Sequence, residues 1–394
     1  MARARSGGVR VNARTEGVRN GGPRKAFLSC GASGWGGLER QALLLAETYR
    51  DRGLGTALLA RPDTPFELEA RARGFEVFSL LPEHGSGTPA SVLALARLLR
   101  RERPRVLHLH EGRDLRTLAP ALALSGVGAA LYATRHMGLR HDRHDLWHRW
   151  LYARVRRFYA ISHHVAAEAR RVLPLESAQI VVRPPGIDLG RFDPARVDRT
   201  QVRARLGWAR DEIVVGMLGR ITALKGHDDL LAAAERLLPS RPELRFVFVG
   251  SPGREESERA LERSLRERSR PLGARVSWHA ATDRPEDYYA AFDVFVFPSH
   301  AEAFGLALVE AMAMRRPVVA AASAGVLDIV DDGRDGLLYT RGSVAELADR
   351  IAFLVDRPDR AEALARRARE KALETWGIDR IAGLYIEDFE RDSS

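Results

Sequence analysis

From Ala26 onward, short runs of aliphatic, β-branched and aromatic residues alternate with longer stretches whose apolar positions recur every three or four residues. That alternation is the pattern of parallel strands joined by helices, so the expected class is α/β. In the first half, strands are predicted at Ala26–Cys30, Thr56–Ala60, Phe75–Leu80, Val106–His110, Ala129–Thr134, Phe158–Ile161 and Ile180–Arg183. Leu38, Ala42, Leu45, Ala46 and Tyr49 fall on one face of a helix predicted over Leu38–Arg52, which Gly53 ends. From Arg183 to Arg205 no period is sustained, and Pro184 and Pro185 hold the chain extended, which places a hinge there. The alternation then restarts, with strands at Ile213–Leu218, Arg245–Val249, Arg275–His279, Val294–Phe297 and Pro317–Ala320. Helical periods over Val344–Asp356, Arg360–Thr375 and Ile378–Arg391 follow. The expected organisation is a tail over 1–24, one Rossmann-like domain over 25–200, a second over 201–377, and a last helical segment, 378–394, returning toward the first domain.

Composition narrows this picture. A chain of 394 residues exceeds what one hydrophobic core usually supports, which favours two domains. With 45% hydrophobic and 29% charged residues it has the make-up of a soluble globular protein. The lone cysteine, Cys30, excludes an internal disulfide and a cysteine-rich metal framework, and a cytoplasmic location is expected. No basic start followed by an apolar core marks a secretory signal, and residues 1–24 read as a disordered basic tail. The weakly polar run from Leu118 to Ala133 contains Pro120, Gly126 and Gly128 and reads as helix, turn and strand, not a membrane span. The net charge of +10 comes almost wholly from arginine and permits nucleic acid, anionic lipid or phosphorylated small molecules as partners.

The chemistry concentrates in the second half. The segment from Pro298 through Glu302, Phe304, Gly305 and Leu306 to Glu310 follows an apolar strand and opens an apolar helix. The first turn of such a helix carries unpaired N–H groups and the positive end of the dipole, so Phe304, Gly305 and Leu306 offer a phosphate site. Glu310 lies about 9 Å along the helix axis from Phe304, while Glu302 precedes the helix. An isolated pair of glutamates would read as surface and capping acids. Here Gly219, Arg220 and Lys225 leave the first strand of the same domain, where open α/β sheets bind ligands, and two cations suit a diphosphate. Carboxylates flanking a diphosphate site suit a nucleotide-sugar, whose hydroxyls they can accept from.

Arg220 with Lys225, Glu302 and Glu310 with seven intervening residues, and Asp332-Gly333-Arg334-Asp335-Gly336-Leu337-Leu338 resemble glycosyltransferase family 4. So do Gly36-Gly37-Leu38-Glu39-Arg40 and Pro184-Pro185-Gly186-Ile187-Asp188. The resemblance implies a GT-B fold, in which the first domain faces the acceptor and the second binds the nucleotide-sugar. It also implies metal-independent transfer with retention of anomeric configuration and no cofactor. On it, Arg220 and Lys225 hold the diphosphate, Glu310 the ribose hydroxyls and Glu302 the transferred sugar, while Gly36 and Gly37 face the phosphate. His136 matches the cleft histidine of the family, and a structural role for it stays open. Two departures stand out: Arg315 occupies a helix end where glycine is usual, and Ala324-Gly325 replaces a glycine pair. A left-handed Arg315 would cost on the order of 1 kcal/mol relative to glycine.

The glycine-rich loop Gly31–Gly37 has neither dinucleotide nor Walker spacing. His141, His144 and His148 with Asp142 and Asp145 could gather metal ligands, but mixed charges on a helix are commonly a solvated face. Residues 146–157 mix tryptophans and arginines at amphipathic spacing, which fits peripheral contact with an anionic membrane or, alternatively, core tryptophans beneath surface arginines. No base-stacking basic face is legible, so nucleic acid is not an expected partner. The function expected is sugar transfer from a UDP-, GDP- or ADP-sugar to a glycan or lipid-linked acceptor, as in bacterial lipopolysaccharide or other envelope polysaccharide synthesis. A nucleotide-sugar epimerase and a non-catalytic sugar-nucleotide-binding protein are the alternatives.

Overall fold

The computed structural model describes residues 25–82, 87–139 and 141–392; the basic tail lies outside them. The first sheet contains β1 (Lys25–Cys30), β2 (Gly55–Ala60), β3 (Glu76–Phe78), β4 (Val106–Leu109), β5 (Ala130–Arg135), β6 (Val155–Ala160) and β7 (Ile180–Val182). Its order is β3-β2-β1-β4-β5-β6-β7, all parallel. Its helices are α1 (Gly37–Asp51), α2 (Pro65–Ala72), α3 (Pro89–Glu102), α4 (Leu115–Ser125), α5 (Leu146–Tyr152) and α6 (His163–Val172). The second sheet holds β8 (Ile213–Leu218), β9 (Leu244–Val249), β10 (Val276–His279), β11 (Val294–Phe297), β12 (Val318–Ala321) and β13 (Leu337–Tyr339), ordered β10-β9-β8-β11-β12-β13 and again parallel. With it go α7 (Arg199–Leu206), α8 (His227–Leu237), α9 (Glu256–Ser269), α10 (Pro285–Ala291), α11 (Leu306–Ala313), α12 (Val344–Asp356) and α13 (Pro358–Thr375). Two doubly wound parallel sheets are the GT-B architecture that the motifs implied.

The strand cores are fully buried runs such as Phe246, Val247 and Phe248 in β9 and Val294 to Val296 in β11, as parallel strands covered on both faces require. Strand order reverses between β1 and β4 in one sheet and between β8 and β11 in the other. The helices leaving such a pair depart to opposite faces and open a crevice at the carboxyl ends of the strands. Those crevices receive the loops after β1, β8 and β11, which carry most of the residues singled out from the sequence.

A last helix, α14 (Ile378–Arg391), recrosses to the first domain. Its Ile381, Tyr385 and Phe389 are buried in one cluster with Tyr49, Tyr132 and Tyr159. Burial of such side chains stabilises by about 1.5–3 kcal/mol each. Polar contacts fix the angle: Asp388 accepts from Tyr159 Oη at 3.2 Å and from Arg183 at 3.0 Å, and Asp392 accepts from Arg157 at 2.6 and 2.7 Å. Both carboxylates are covered, so these charge-assisted bonds count for more than surface pairs.

Several expectations are corrected. The stretch 146–157 is not one amphipathic helix: α5 ends at Tyr152, and β6 starts at Val155, three residues earlier than expected. Arg156 and Arg157 disguised that strand, because the charge that makes Arg157 look solvent-facing is neutralised by Asp392, which caps α14. Trp147 and Trp150 are not core. They are 49% and 37% exposed and stack at 5.2 Å beside Leu146, which is 85% exposed. The sixth strand of the second sheet, β13, was not anticipated; only three residues long, it is held by pairing with β12. The expected strand at Phe75–Leu80 shortens to Glu76–Phe78.

Candidate active site

Three loops of the second domain converge at the carboxyl end of its sheet. The loop after β8 approaches the strand end of β11 so closely that a side chain at Gly226, whose φ is +71°, would sit 2.0 Å from the Pro298 carbonyl oxygen. The His300 N–H donates to the Leu224 carbonyl at 2.8 Å, and the His300 ring bonds Asp229 at 2.7 Å. From the third loop, Ser323 Oγ donates to the Ser299 carbonyl at 2.9 Å, and the Gly325 N–H donates to the Glu302 carbonyl at 3.0 Å. Ala324 between them has φ of 30°, a conformation that favours the usual glycine. Through these bonds the backbone around Glu302 is fixed before any ligand arrives.

Within that frame Lys225 Nζ forms a part-buried ion pair with Glu302, whose carboxylate also accepts from Ser299 Oγ at 3.3 Å. The two residues assigned to diphosphate and sugar are therefore neighbours, and the pair keeps the lysine side chain in place. Arg220 is more loosely held: its guanidinium is 67% exposed and lies 3.8 Å from Glu258, which also accepts from the Gly253 N–H. Gly219 packs beneath the Gly250 turn, where a side chain on Gly250 would meet the Gly219 carbonyl oxygen at 1.9 Å.

Gly305 caps α11 with φ of 130°, reachable without strain by glycine alone. Phe304 is 3% exposed and lies edge-on to Trp376, so its side chain is structural. Leu306 points across the cleft: a side chain at Gly37 would lie 3.7 Å from Leu306 Cδ1. The start of α11 in one domain thus opposes the start of α1 in the other. Gly36 is the N-cap of α1, and its N–H donates to Glu39 Oε2 at 2.8 Å, the one half of a capping box open to a residue without a side chain.

Glu310, on α11, does not face Glu302's partners. It accepts from Tyr289 Oη at 2.8 Å. Burial pushes its carboxyl up to about 7, against the opposing pull of Tyr289, Arg191 and Arg40. Sequence pattern missed Tyr289, because nothing near it in the chain marks it as a partner of a residue 21 positions later. The contact that Arg40 makes across the domains to Asp283, at 3.6 Å, was hidden for the same reason.

His136 follows β5 and is half-buried. Its Nε2 lies 3.0 Å from Nδ1 of buried His110, with the rings stacked at 5.3 Å. Burial and the neighbouring Arg135 lower it to about 4, so it is neutral at pH 7. His108 bonds Thr134 at 2.7 Å within the core. Asp114, also unforeseen, accepts from Ser29 Oγ at 2.9 Å and from the Gly31 N–H at 3.0 Å, anchoring the loop that leads to Gly36. His144 and His148 each pair locally with Asp142 and Asp145, and no cluster among the described residues could hold a metal ion.

Residues 198–371 match the family described as glycosyl transferases group 1, and residues 35–191 match glycosyltransferase family 4. A protein named D-inositol 3-phosphate glycosyltransferase from Geodermatophilus obscurus is 40% identical over 214 residues, covering 52% of this chain and 44% of that protein. One of the same name from Catenulispora acidiphila is 37% identical over 232 residues, covering 56% and 55%. The match spans about half the length of these curated relatives. Among solved structures, Anabaena HepE in complex with UDP superposes with a TM-score of 0.78 at 22% identity, over 93% of this chain and 100% of that one. A glycosyltransferase from Rickettsia africae does so with 0.83 at 17% identity, over 94% and 98%.

Proposed function

This chain belongs to glycosyltransferase family 4, and on that footing we propose that it moves a sugar from a nucleotide-sugar to an acceptor hydroxyl with retention of configuration and without a metal. The observation that carries the proposal is the Lys225–Glu302 pair beside the start of α11, with Gly37 facing that helix from the other domain. Lys225 and Arg220 meet the diphosphate, and the N–H groups at Gly305 and Leu306 add a partial positive charge. Glu302 accepts from the sugar hydroxyls and Glu310 from the ribose. The bond from the anomeric carbon to the diphosphate oxygen breaks, and the acceptor oxygen bonds that carbon on the same face. The acceptor proton passes to the departing phosphate. Fixed cations favour this step because charge grows on the leaving group as the bond breaks.

A UDP-sugar is the favoured donor, since HepE, similar in fold, was crystallised with UDP and with UDP-glucose. The acceptor we favour is a glycan or lipid-linked saccharide of the bacterial envelope, met by a cytoplasmic enzyme at the inner face of the membrane. Exposed Leu146, Trp147 and Trp150, beside Arg149 and Arg154, support peripheral membrane contact. No helix of the described residues is long and apolar enough to cross a membrane. A phosphorylated cyclitol is the second acceptor reading, supported by the names of the curated relatives.

A panel of UDP-, GDP- and ADP-sugars, each with and without acceptor, tests the proposal. Release of nucleoside diphosphate should require acceptor and persist in excess EDTA. Conversion of donor without acceptor would instead indicate an epimerase. Loss of activity in EDTA, restored by Mg²⁺, would overturn the metal-free diphosphate site.

A further inference from the structure

At the amino ends of β8 and β11, the opposite end of the second sheet from the cleft, a pocket of about 330 Å³ is lined by Arg199, Thr200, Arg203, Ala204, Trp208 and Arg210. Thr200, Ala204 and Arg210 form an exposed rim, whereas Arg203 and Trp208 are 7% and 5% exposed. We propose that this pocket binds a small phosphate-bearing ligand, independently of the donor cleft.

The charge balance is the first argument. A single carboxylate, Asp293, serves both Arg199 and Arg203; its oxygens also accept from the Val214 N–H at 2.8 Å. Arg210 makes no ion pair among the described residues. Behind the pocket, Arg316 and Arg199 both donate to the Phe292 carbonyl, at 3.0 and 3.1 Å. Arg199, Arg203 and Arg316 thus share one carboxylate, while Arg210 stands on the rim. Two carboxylates on adjoining elements are already engaged: Glu212 by Arg245 at 2.7 Å and Arg275 at 3.6 Å, and Asp287 by Arg205 and Arg284. Arg316 registers the crowding, lowered to about 10 by burial and then by the Arg199 charge.

The second argument is the donor set. Arg203 Nη2 bonds Asp293 at 2.7 Å and the Glu212 carbonyl at 2.9 Å, which holds its guanidinium in place in the pocket lining. An oxyanion in the pocket would relieve the repulsion among the arginines. Guanidinium forks match phosphate oxygens in pairs, and the Thr200 hydroxyl on the rim adds a donor. The half-open concave shape, with Trp208 stacked on Phe292 at 6.2 Å as a rigid wall, fits a hexose phosphate better than a flat lipid surface.

The test is calorimetric titration of the Lys225→Ala chain, whose cleft has lost its principal cation, with glucose 6-phosphate and with inorganic pyrophosphate at about 0.15 M salt. One saturable site per chain is expected, weakened at least about tenfold by adding Arg210→Ala, which removes no internal bond and leaves the thermal midpoint unchanged. Arg199→Met should weaken it as well. Absence of saturable binding in the Lys225→Ala chain, or equal affinity with and without Arg210, would overturn the site. Co-sedimentation with phosphatidylglycerol vesicles that depends on Arg210, without binding of either small probe, would also overturn it and assign the arginines to lipid.

Discussion

Glu302 and Glu310 have the same side chain, but the fold gives them different surroundings, so their substitutions should separate. Glu310→Gln should weaken UDP-glucose and free UDP alike, since both carry the ribose. Glu302→Gln should spare UDP and lower turnover by on the order of 10²-fold, as expected of a contact made fully only in the transition state. Lys225→Ala should harm both binding and turnover. Calorimetry of UDP and steady-state kinetics on thermally normal variants decide this, and near wild-type behaviour of both glutamine variants would sink the site. Glu310 adds a pH dependence. Its folded carboxyl titrates at about 7, above its ordinary 4.5, so UDP-glucose affinity should rise with pH through about 7 as the acceptor form appears. The folding term has the opposite sign: the folded chain holds this proton more tightly than the unfolded one, so Glu310's contribution to stability falls between those two values. Both trends should vanish in Glu310→Gln. That Lys225 and Glu302 meet was legible because both follow strands that end on one side of a sheet. Tyr289, Asp114 and the His110–His136 contact were not, since only the folded sheets bring those partners together.

At the scale of elements, most helices and strands followed from periodicity, and α12 and α14 were read with their observed bounds. Failures occurred where tertiary contacts overrode local character: β6 carries Arg156 and Arg157, which pair with Asp392 just past α14, and β13 is too short to carry a period. The left-handed Arg315 at the end of α11, with φ of 55°, is the departure flagged from sequence, now with an observed conformation. Its contact with Glu362 is exposed and contributes little. Arg315→Gly should therefore raise unfolding free energy by about 1 kcal/mol. Gly226→Ala should do the reverse and also impair donor binding, because the loop carrying Lys225 must then move off Pro298. Denaturant midpoints at unchanged slope measure both, and a destabilised Arg315→Gly chain would refute the strain argument.

Across the whole molecule, the tryptophan pair on α5 and the arginines beside it give the first domain an amphipathic exposed face. Vesicle co-sedimentation should favour anionic over neutral lipid, weaken with salt and drop when Trp147 and Trp150 are both changed to Ala; equal binding to both lipids would count against membrane contact. The crossing of α14 bears on another moment in the protein's life, its synthesis. The first sheet is complete at Val182, but Ile381, Tyr385 and Phe389, which cover its tyrosines, lie roughly 200 residues later. At about 5–20 residues per second, the ribosome leaves that aromatic face unsealed for on the order of 10–40 s while the second domain is made. During that interval the nascent first domain presents a sticky apolar surface, the kind of surface that chaperones shield and that tangles neighbouring chains on a polysome. Production of intact protein should thus depend on how quickly translation reaches the last helix, even though the finished fold shows no trace of the exposure.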